Sequence, residues 1–328
     1  MSKEDELRSM KKKIVGAAAM ASGIYMGFGW SFFNLTVRCK KNRKESKKKW
    51  FQLHHTKINH PRYEHEAEYE EGKEWCRQQK MQDCFIRSQD GLKLHGYYLP
   101  AKDAKRFVLL CHGYKGSGFG DFANMARFLH ENQCNLLFID QRCCGSSQGE
   151  YITFGAMEQY DIQKWAYYIS LRNKNKLPIY LYGESMGAAS VLMASGHHLP
   201  REVKGLISDC GFFSMEAQVR DMAANWFHLN HIGSLIFRLK FFCRTLAGFQ
   251  MGEADTTEAM RRNQRPILFF HGGKDTYVDP KNTKYNYSLC HAPKEFVEIS
   301  EARHLCCAYE KPEYYRQKVM NFFHQYDT

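Results

Sequence analysis

From about residue 83 onward, short apolar runs alternate with longer helical patterns, and this alternation limits the choice of fold. Apolar runs of this kind form buried strands, and the stretches between them form covering helices. The alternation therefore predicts an α/β fold, a mostly parallel sheet with helices on both faces. The predicted strands are Phe107–Cys111, Asn135–Asp140, Leu177–Tyr182, Val203–Asp209, Pro266–Phe270 and Glu295–Ile299. The predicted helices lie around 121–132, 156–172, 186–197, 281–291 and 311–325.

An antiparallel start to the sheet is predicted by the residues just before these strands. Asp83–Gln89 and Leu92–Leu99 are strand-like runs joined by Asp90-Gly91, a dipeptide typical of hairpin turns. Together with the later runs, they indicate a twisted sheet of about eight strands.

One interval breaks the alternation. About 55 residues separate the strand that ends at Asp209 from the next one, which is too long for a plain connection. We expect a helical lid insertion over about 212–262, above the carboxyl ends of the strands, where open parallel sheets bind their ligands. Phe212, Phe213 and Trp226 are its candidate pocket residues, because aromatic side chains favour apolar or acyl groups. Burial between the lid and the body is the structural alternative for each of them.

The stretch LYGESMGAAS, residues 181–190, passes directly from a predicted strand into a predicted helix and carries Ser185 between Gly183 and Gly187. A serine at such a turn has a strained backbone, and small neighbours are needed so that the surrounding segments do not clash. Its hydroxyl points out of the sheet, above a helix N-terminus that favours negative charge. The same pattern also fits a chain that merely passes from strand to helix, so its meaning depends on partners elsewhere.

A nucleophilic serine needs a base, and the base needs an acid that holds it in position. In a strand–serine–helix arrangement both follow the serine, the acid first. Asp275 and His304 each lie just beyond a predicted strand, in that order. We therefore predict Ser185 as the nucleophile, His304 as the base and Asp275 as the acid.

Three other residues compete for these roles. Asp209 also ends a predicted strand and is the alternative acid. Asp279 stands directly before a proline and fits a helix cap better. His271 ends a strand as well, but the two glycines that follow it favour a packing role before a tight turn.

Two backbone N–H groups are needed to stabilise the oxyanion that forms when a carbonyl is attacked. One is expected from Met186, which follows the serine, and the other from Tyr114 in the glycine-rich loop 112–118. This loop lacks the spacing of a phosphate-binding loop, so it does not predict nucleotide binding. No metal and no cofactor is expected.

The N-terminal region differs from the rest of the chain. Residues 1–49 contain 13 Lys/Arg and four Asp/Glu, so most of the formal net charge of +12 lies there. The body shows no basic stripe with interleaved aromatics, which argues against nucleic-acid binding. Residues 14–37 carry no charge and are long enough to cross a bilayer core of about 30 Å, so a transmembrane anchor is expected. A cleaved signal peptide and a buried soluble helix are the alternatives.

The expected organisation is a tail at 1–13, the anchor at 14–37, a basic juxtamembrane linker and helix at 38–82, and a hydrolase-like domain at 83–328. Eight Lys/Arg follow the anchor and five precede it, which mildly favours a single-pass membrane protein with a cytoplasmic body. The spacing of the 12 cysteines resembles no disulfide scaffold. Unpaired thiols suit a reducing compartment, so the cysteines also favour a cytoplasmic body. The vicinal pairs Cys143-Cys144 and Cys306-Cys307 are expected to be free or buried thiols, with a metal or redox site as the alternative.

From about residue 83 to its end the chain resembles the α/β-hydrolase family, in particular N-terminally anchored serine hydrolases related to prolyl-oligopeptidase-like and lipase-like enzymes. The segments that carry the resemblance are LLCHGYKGSG, FIDQRCCGSSQGEYITFG, YLYGESMGAAS, FFHGGKDTYVDP and ARHLCCAYEKPEYYRQKVMNFF. The resemblance implies that Ser185 is the nucleophile, His304 the base and Asp275 the acid. It also implies that the oxyanion donors are the backbone N–H groups of Tyr114 and Met186. The cysteines at 143–144 and the sequence Leu305-Cys306-Cys307 depart from the family pattern and are expected to reshape the pocket rim, with Leu305 as a further candidate contact.

These residues predict a membrane-anchored serine hydrolase of the carboxylesterase or lipase class. It would cleave a carboxylic ester, a thioester or a lipid ester through an acyl-enzyme, with a small acyl compound as its substrate. A serine exopeptidase of the same fold is one alternative. A non-catalytic membrane protein that binds a lipid or a protein partner is another. Neither the acyl group nor the oligomeric state follows from the sequence.

Overall fold

The computed structural model describes residues 10, 23, 25–39 and 64–327. Its centre is a single eight-stranded sheet, which confirms the predicted α/β fold class and the predicted number of strands. The strands are β1 (Gln82–Arg87), β2 (Lys93–Leu99), β3 (Arg106–Cys111), β4 (Cys134–Asp140), β5 (Ile179–Glu184), β6 (Val203–Asp209), β7 (Ile267–Gly272) and β8 (Lys294–Ile299).

The strands lie in the order β1-β2-β4-β3-β5-β6-β7-β8. β1 and β2 form the predicted antiparallel hairpin, and β2 also runs antiparallel to β4, whereas all the later pairings are parallel. Because parallel strands are covered on both faces, β3, β4, β5 and β7 are buried along their whole length. The loops that follow these strands consequently meet at one edge of the sheet.

Helices flank the sheet and extend above it. They are α1 (residues 25–36), α2 (Glu66–Gln78), α3 (Gly118–Asp121), α4 (Ala126–Glu131), α5 (Glu158–Arg172), α6 (Met186–Ala194), α7 (Met215–Phe227), α8 (Gly233–Leu246), α9 (Thr257–Arg262), α10 (Lys281–Leu289), α11 (Cys307–Glu310) and α12 (Pro312–Tyr326).

The two faces of the sheet pack against different helices. On one face, aromatic and aliphatic residues of α4 and α12, such as Phe323, form a core with β3, β4 and β5. On the other face, Trp165 of α5 and Leu192 of α6 pack on the same strands. The sheet is therefore held rigidly from both sides, and the loops at its carboxyl edge are carried by a fixed frame.

The predicted lid insertion takes the form of α7, α8, a short 3₁₀ turn at Met251–Glu253 and α9. α7 begins at a favourable cap, because the Ser214 side chain accepts a hydrogen bond from the N–H of Ala217 at 3.1 Å. A third apolar cluster joins the lid helices to the segment 152–156, to α1 and to Met186. This cluster brings the lid next to the predicted nucleophile.

The described part of the predicted anchor packs on the protein. Phe33 and Val37 are completely buried, and the Phe33 ring lies 5.9 Å from that of Phe242 in the lid. None of the helices in the described ranges has the length and apolar composition needed to cross a membrane. Residues 14–22 and 24 of the predicted span lie outside those ranges, as do residues 1–9 and 11–13 of the predicted tail and residues 40–63 of the predicted linker.

The cysteines require one correction. Cys143 was expected to be unpaired, but it forms a disulfide with Cys39, 104 residues away, just after α1. Cys144, Cys306 and Cys307 are buried and form no disulfide, as the default interpretation expected. The segment after α1 is further held by the N–H of Cys39, which donates to the carbonyl of Glu150 at 2.7 Å. Spacing along the sequence gave no indication of this pairing, because the two cysteines meet only in the folded chain.

Candidate active site

Ser185 lies at the apex of the turn between β5 and α6. Its backbone has φ 54° and ψ −117°, a conformation that residues with side chains rarely adopt. The turn is possible because of Gly187, where a Cβ atom would lie 1.9 Å from the carbonyl oxygen of Cys111. The N–H of Ser185 donates to the carbonyl of Asp209 at 2.8 Å, which ties the turn to the end of β6. The predicted strained turn is therefore present.

The structure brings Ser185, His304 and Asp275 together in hydrogen-bonded order. His304 Nε2 lies 2.9 Å from Ser185 Oγ, and His304 Nδ1 lies 2.6 Å from Asp275 Oδ2. Each residue follows a strand end: Ser185 follows β5, Asp275 follows β7 and His304 follows β8. All three side chains are buried, so the hydrogen bonds are shielded from competing water.

The carboxylate of Asp275 is held at both oxygens. Its Oδ1 accepts hydrogen bonds from the N–H groups of Tyr277 at 2.8 Å and Val278 at 2.9 Å. Its Oδ2 faces His304 and also His271, whose Nε2 lies 3.3 Å away. Burial would raise the pKa of Asp275, but the two imidazoles outweigh it and bring that pKa below its ordinary value. The group is therefore an anion that can stabilise positive charge on His304.

His271 contributes to the site in a way that the sequence did not reveal. Its Nδ1 lies 2.7 Å from the hydroxyl of Thr283, and its Nε2 lies 2.9 Å from the carbonyl of Val278. Burial lowers the pKa of His271, yet the hydrogen bond and the charge of Asp275 raise it above the ordinary value. The packing role inferred from Gly272-Gly273 is incomplete, because the side chain also contacts the predicted acid.

Tyr277 is a second contact that the sequence analysis missed. Its ring stacks on the imidazole of His304 with centroids 4.8 Å apart and an interplanar angle of 21°. The stacking covers one face of the imidazole and restricts its rotation. Only the proximity of Tyr277 to Asp275 in the sequence could have indicated this contact, because the loop after β7 must pass the histidine.

Asp209, the alternative acid, lies nearby but has other partners. Its Oδ2 accepts from the hydroxyl of Tyr315 at 2.8 Å, and its Oδ1 accepts from the thiol of Cys210 at 3.0 Å. Burial raises the pKa of Asp209. The geometry thus pairs His304 with Asp275 rather than with Asp209. Asp279 caps α10, where its Oδ1 accepts from the N–H of Lys281 at 2.9 Å.

The loop that carries Tyr114 lies against the serine. A Cβ atom on Gly113 would be 3.2 Å from the Cβ of Ser185, so the backbone approaches the site closely. The N–H of Gly113 donates to Asp121 at 2.6 Å, which fixes the loop. Tyr114 follows Gly113 directly, and Met186 follows Ser185 directly. The two predicted oxyanion donors are therefore the chain neighbours of two residues, Gly113 and Ser185, that lie close together.

The candidate pocket residues have different environments. Phe212 is buried in the lid cluster beside Phe154, with ring centroids 6.5 Å apart. Phe213 packs on Tyr285 of α10, with ring centroids 4.7 Å apart. Leu305 is partly exposed and has a left-handed backbone with φ 59°. The side chain of Trp226 lies outside the described part of the chain.

Buried thiols lie beneath the site. The ligand atoms of Asp209, Cys210 and Cys307 lie within 4.8 Å of one another, and those of Cys210, His271 and Asp275 form a second such group. Burial raises the pKa of Cys210 well above its ordinary value, so this thiol is protonated and donates to Asp209. The two carboxylates and the imidazole of these groups also have the hydrogen-bond partners described above.

The sequence matches a family model described as serine aminopeptidase, S33, over residues 102–241. It is 25% identical over 237 residues to the uncharacterized protein YqkD of Bacillus subtilis, which covers 72% of this chain and 77% of that protein. It is 23% identical over 257 residues to WAV2, an α/β-hydrolase domain-containing protein of Arabidopsis thaliana, covering 75% of this chain and 79% of that protein.

Solved structures resemble the fold over a similar share of the chain. An esterase of Pyrococcus furiosus, Pf2001, superposes with a TM-score of 0.62 at 20% identity, covering 76% of this chain and 92% of its own. An acetyl xylan esterase of Paenibacillus sp. R4 superposes with a TM-score of 0.56 at 18% identity, covering 82% and 96%. Strand order, turn geometry and these similarities agree, and the chain has the α/β-hydrolase fold.

Proposed function

We propose that the protein is a serine hydrolase that cleaves carboxylic esters with an apolar acyl part. The observation that carries this proposal is the hydrogen-bonded series in which His304 Nε2 lies 2.9 Å from Ser185 Oγ and His304 Nδ1 lies 2.6 Å from Asp275. A serine hydroxyl is a weak nucleophile at neutral pH, and this arrangement is the one that activates it.

In the proposed reaction, Ser185 Oγ forms a bond to the carbonyl carbon of the ester as its proton passes to His304 Nε2. The resulting oxyanion accepts hydrogen bonds from the N–H groups of Tyr114 and Met186, and the N-terminus of α6 favours its charge. When the carbonyl re-forms, the ester C–O bond breaks and the alkoxide leaves with the proton from His304. The acyl group remains on the serine.

Water completes the proposed cycle. It attacks the acyl carbon while giving a proton to His304 Nε2. As the second oxyanion collapses, the bond between the acyl carbon and Ser185 Oγ breaks and His304 returns the proton to Oγ, which releases a carboxylic acid and restores the serine. Asp275 keeps the Nδ1 proton in place and stabilises the imidazolium in both halves. Its low pKa supports this role, because the carboxylate stays ionised throughout.

The lid favours an ester over a peptide with a free amino terminus. An exopeptidase has to hold an ammonium group, for which a carboxylate is the usual partner. The lid acids Glu216 and Asp221 already form ion pairs, with Lys240 and Lys281 respectively, both at 2.7 Å. Of the other lid acids, Glu258 pairs with Arg261 at 2.7 Å, and Glu253 and Asp255 accept hydrogen bonds from backbone N–H groups. The cluster that joins the lid to Met186 is built from apolar side chains. An exopeptidase, suggested by the description of the family model, is the second candidate.

A fluorophosphonate probe tests the nucleophile. The parent protein is expected to label, and Ser185→Ala is expected to lose labelling and hydrolysis of p-nitrophenyl esters together. Ser195→Ala is the matched control, because that hydroxyl bonds only to the carbonyl of Leu192 among the described contacts. Labelling of Ser185→Ala equal to the parent would refute the nucleophile. Failure of the parent to label would favour the non-catalytic binding protein.

A substrate panel separates the two enzymatic candidates. Esters of increasing acyl length are compared with aminoacyl-nitroanilides, and also with thioesters and lipid esters. Higher kcat/KM for medium or long acyl esters is expected, because the surroundings of Met186 are apolar. Faster turnover of the nitroanilides would select the exopeptidase instead.

We also propose that residues 14–37 attach the protein to a membrane. The uncharged sequence and the cationic residues on both sides of it support attachment. The charge bias favours a cytoplasmic body, whereas the disulfide between Cys39 and Cys143 favours an oxidising compartment. Carbonate extraction tests whether the protein is attached to the membrane. Protease protection in sealed vesicles tests on which side of the membrane the body lies.

A further inference from the structure

α1 and the lid helix α8 pack side by side. A Cβ atom on Gly29 would lie 2.6 Å from the Cβ of Arg238, so the backbone of α1 lies directly against that side chain. The guanidinium of Arg238 donates to the carbonyl of Tyr25 and lies 4.0 Å from the centroid of the Tyr25 ring. The two helices therefore form one surface layer above the site.

This layer exposes large apolar side chains to the outside. In α8, Phe237 is 65% exposed and Phe241, one turn later on the same face, is 46% exposed. In α1, Phe28 is 61% exposed and Tyr25 is 41% exposed. We call these four residues the aromatic face. Exposed apolar groups gathered on neighbouring helices mark a surface that contacts a partner or a membrane.

The charges around the aromatic face indicate an anionic partner. Neither α1 nor α8 contains an Asp or a Glu. Lys240 and Arg244 flank Phe237 and Phe241 on the exposed side of α8; Lys240 also contacts Glu216, which in turn pairs with Arg220. Residues 1–49, which lead into and out of α1, contain 13 Lys/Arg and four Asp/Glu. Cationic residues thus exceed acidic ones in the sequences of α1, α8 and the segments that flank α1.

The sequence before α1 identifies the partner. Residues 14–22, IVGAAAMAS, are uncharged and lead into the helix that carries Tyr25 and Phe28. A protein partner would not require an uncharged sequence of this kind before the helix that carries Tyr25 and Phe28, whereas a bilayer would accept both the sequence and the aromatic face. Aromatic side chains with flanking cations are typical of helices that lie in the interfacial region of anionic membranes.

We infer that the aromatic face of α1 and α8 lies on the surface of an anionic lipid bilayer, so that the lid of the protein faces the membrane. This inference builds on the membrane attachment proposed above and adds a second contact, from the lid, some 200 positions later in the chain. It does not depend on hydrolysis. An apolar acyl substrate could then reach the cluster around Met186 from the lipid side.

The test measures the contact of α8 with lipid in the full-length protein reconstituted into vesicles. Phe237→Trp places a fluorescent reporter on the aromatic face, and Leu171→Trp places one at the most exposed large apolar position away from the lid, 82% exposed. The fluorescence of the parent is subtracted from each. Lipids with a nitroxide near the headgroup quench only a reporter within the interfacial layer, about 5–10 Å deep.

In vesicles of phosphatidylcholine with phosphatidylglycerol, the added fluorescence of Phe237→Trp is expected to be quenched at least about twofold more than that of Leu171→Trp. In phosphatidylcholine alone the difference is expected to shrink, because Lys240 and Arg244 lose their anionic partners. Phe241→Trp provides a second reporter should the first variant not fold. Because fluorescence is measured without substrate, failure of the hydrolase proposal leaves the result unaffected.

Equal quenching of the two reporters overturns the inference. If Phe237→Trp is quenched as strongly in phosphatidylcholine alone as in the anionic vesicles, the preference for anionic lipid is overturned. Unquenched fluorescence that changes with the ratio of protein to lipid indicates that a second copy of the chain covers the aromatic face, and this result also overturns the inference.

Discussion

His271 Nε2 lies 3.3 Å from Asp275 Oδ2, the same carboxylate oxygen that contacts His304 Nδ1. Two imidazoles therefore share one oxygen, while two backbone N–H groups hold the other. Such an arrangement fixes the orientation of the carboxylate and, through it, the orientation of His304. His271 is a positioning residue in this view, since it acts on the proposed base through Asp275.

His271→Gln is expected to lower kcat about 10- to 100-fold while KM changes little, because a small misplacement of Asp275 and His304 weakens proton transfer without altering substrate contacts. Steady-state kinetics on a soluble ester measure the effect. His198→Gln is the matched control, since that histidine is exposed and contacts Tyr167 instead. A change in KM with constant kcat would contradict a positioning role.

Asp275→Asn is expected to lower kcat about 10³- to 10⁴-fold, because an amide neither holds the required tautomer of His304 nor stabilises its positive charge. Asp279→Asn is the comparison, because that carboxylate caps α10. It is expected to retain activity close to the parent and to lose a little stability. Near-normal activity of Asp275→Asn would contradict this role and would favour Asp209 as the acid.

Because the pKa of Asp275 is lowered in the fold, its contribution to the free energy of unfolding is expected to decrease as the pH falls. A carboxyl group whose pKa is lower in the fold than in the unfolded chain, about 3.9, stabilises the fold above that value. The stabilisation falls as the pH drops below about 4 toward the folded pKa. Urea unfolding of the parent and of Asp275→Asn from neutral to acidic pH is expected to show the largest difference near neutrality, shrinking below pH 4. A difference independent of pH would rule out this linkage.

Gly187→Ala is expected to prevent folding or to lower the free energy of unfolding by more than about 3 kcal/mol, because the new Cβ would overlap the carbonyl of Cys111. Gly252→Ala is the control, since a Cβ at that position meets no atom within 4 Å. Thermal unfolding of both variants measures the effect. A stable Gly187→Ala protein would mean that the turn at Ser185 can relax.

The disulfide predicts a thiol count. The denatured, unreduced protein is expected to react with a thiol reagent at ten cysteines, and at all 12 only after reduction. The double variant Cys39→Ser with Cys143→Ser is expected to lose about 2–4 kcal/mol in free energy of unfolding, since the crosslink closes a loop of 104 residues. Twelve reactive thiols without reduction would contradict the pairing.

The sheet and the positions of Ser185, Asp275 and His304 could be predicted because both depend on local patterns. A buried strand reads as an apolar run, and the residue after it must lie at the carboxyl edge of the sheet. The same reasoning set the lid between β6 and β7, since an interval of that length cannot be a simple loop. The catalytic roles of the three residues stay predictions.

Other features could not be predicted, because they arise from contacts between distant segments. The pairing of Cys39 with Cys143 and the stacking of Tyr277 on His304 depend on how loops are brought together by the sheet. The packing of Phe33 could not be foreseen either. An apolar residue buries equally well against lipid or against Phe242, and the sequence contains no signal that separates the two.

The burial of Phe33 and Val37 and the disulfide of Cys39 bear on how the protein is to be handled. Removing the apolar leader of an anchored enzyme is a common route to material for crystallisation, and here a cut at residue 40 would remove side chains that the lid rests on. Tyr114 would also lose the carbonyl of Thr36, to which its hydroxyl donates at 2.6 Å. An inactive truncated preparation would therefore say little about the intact enzyme.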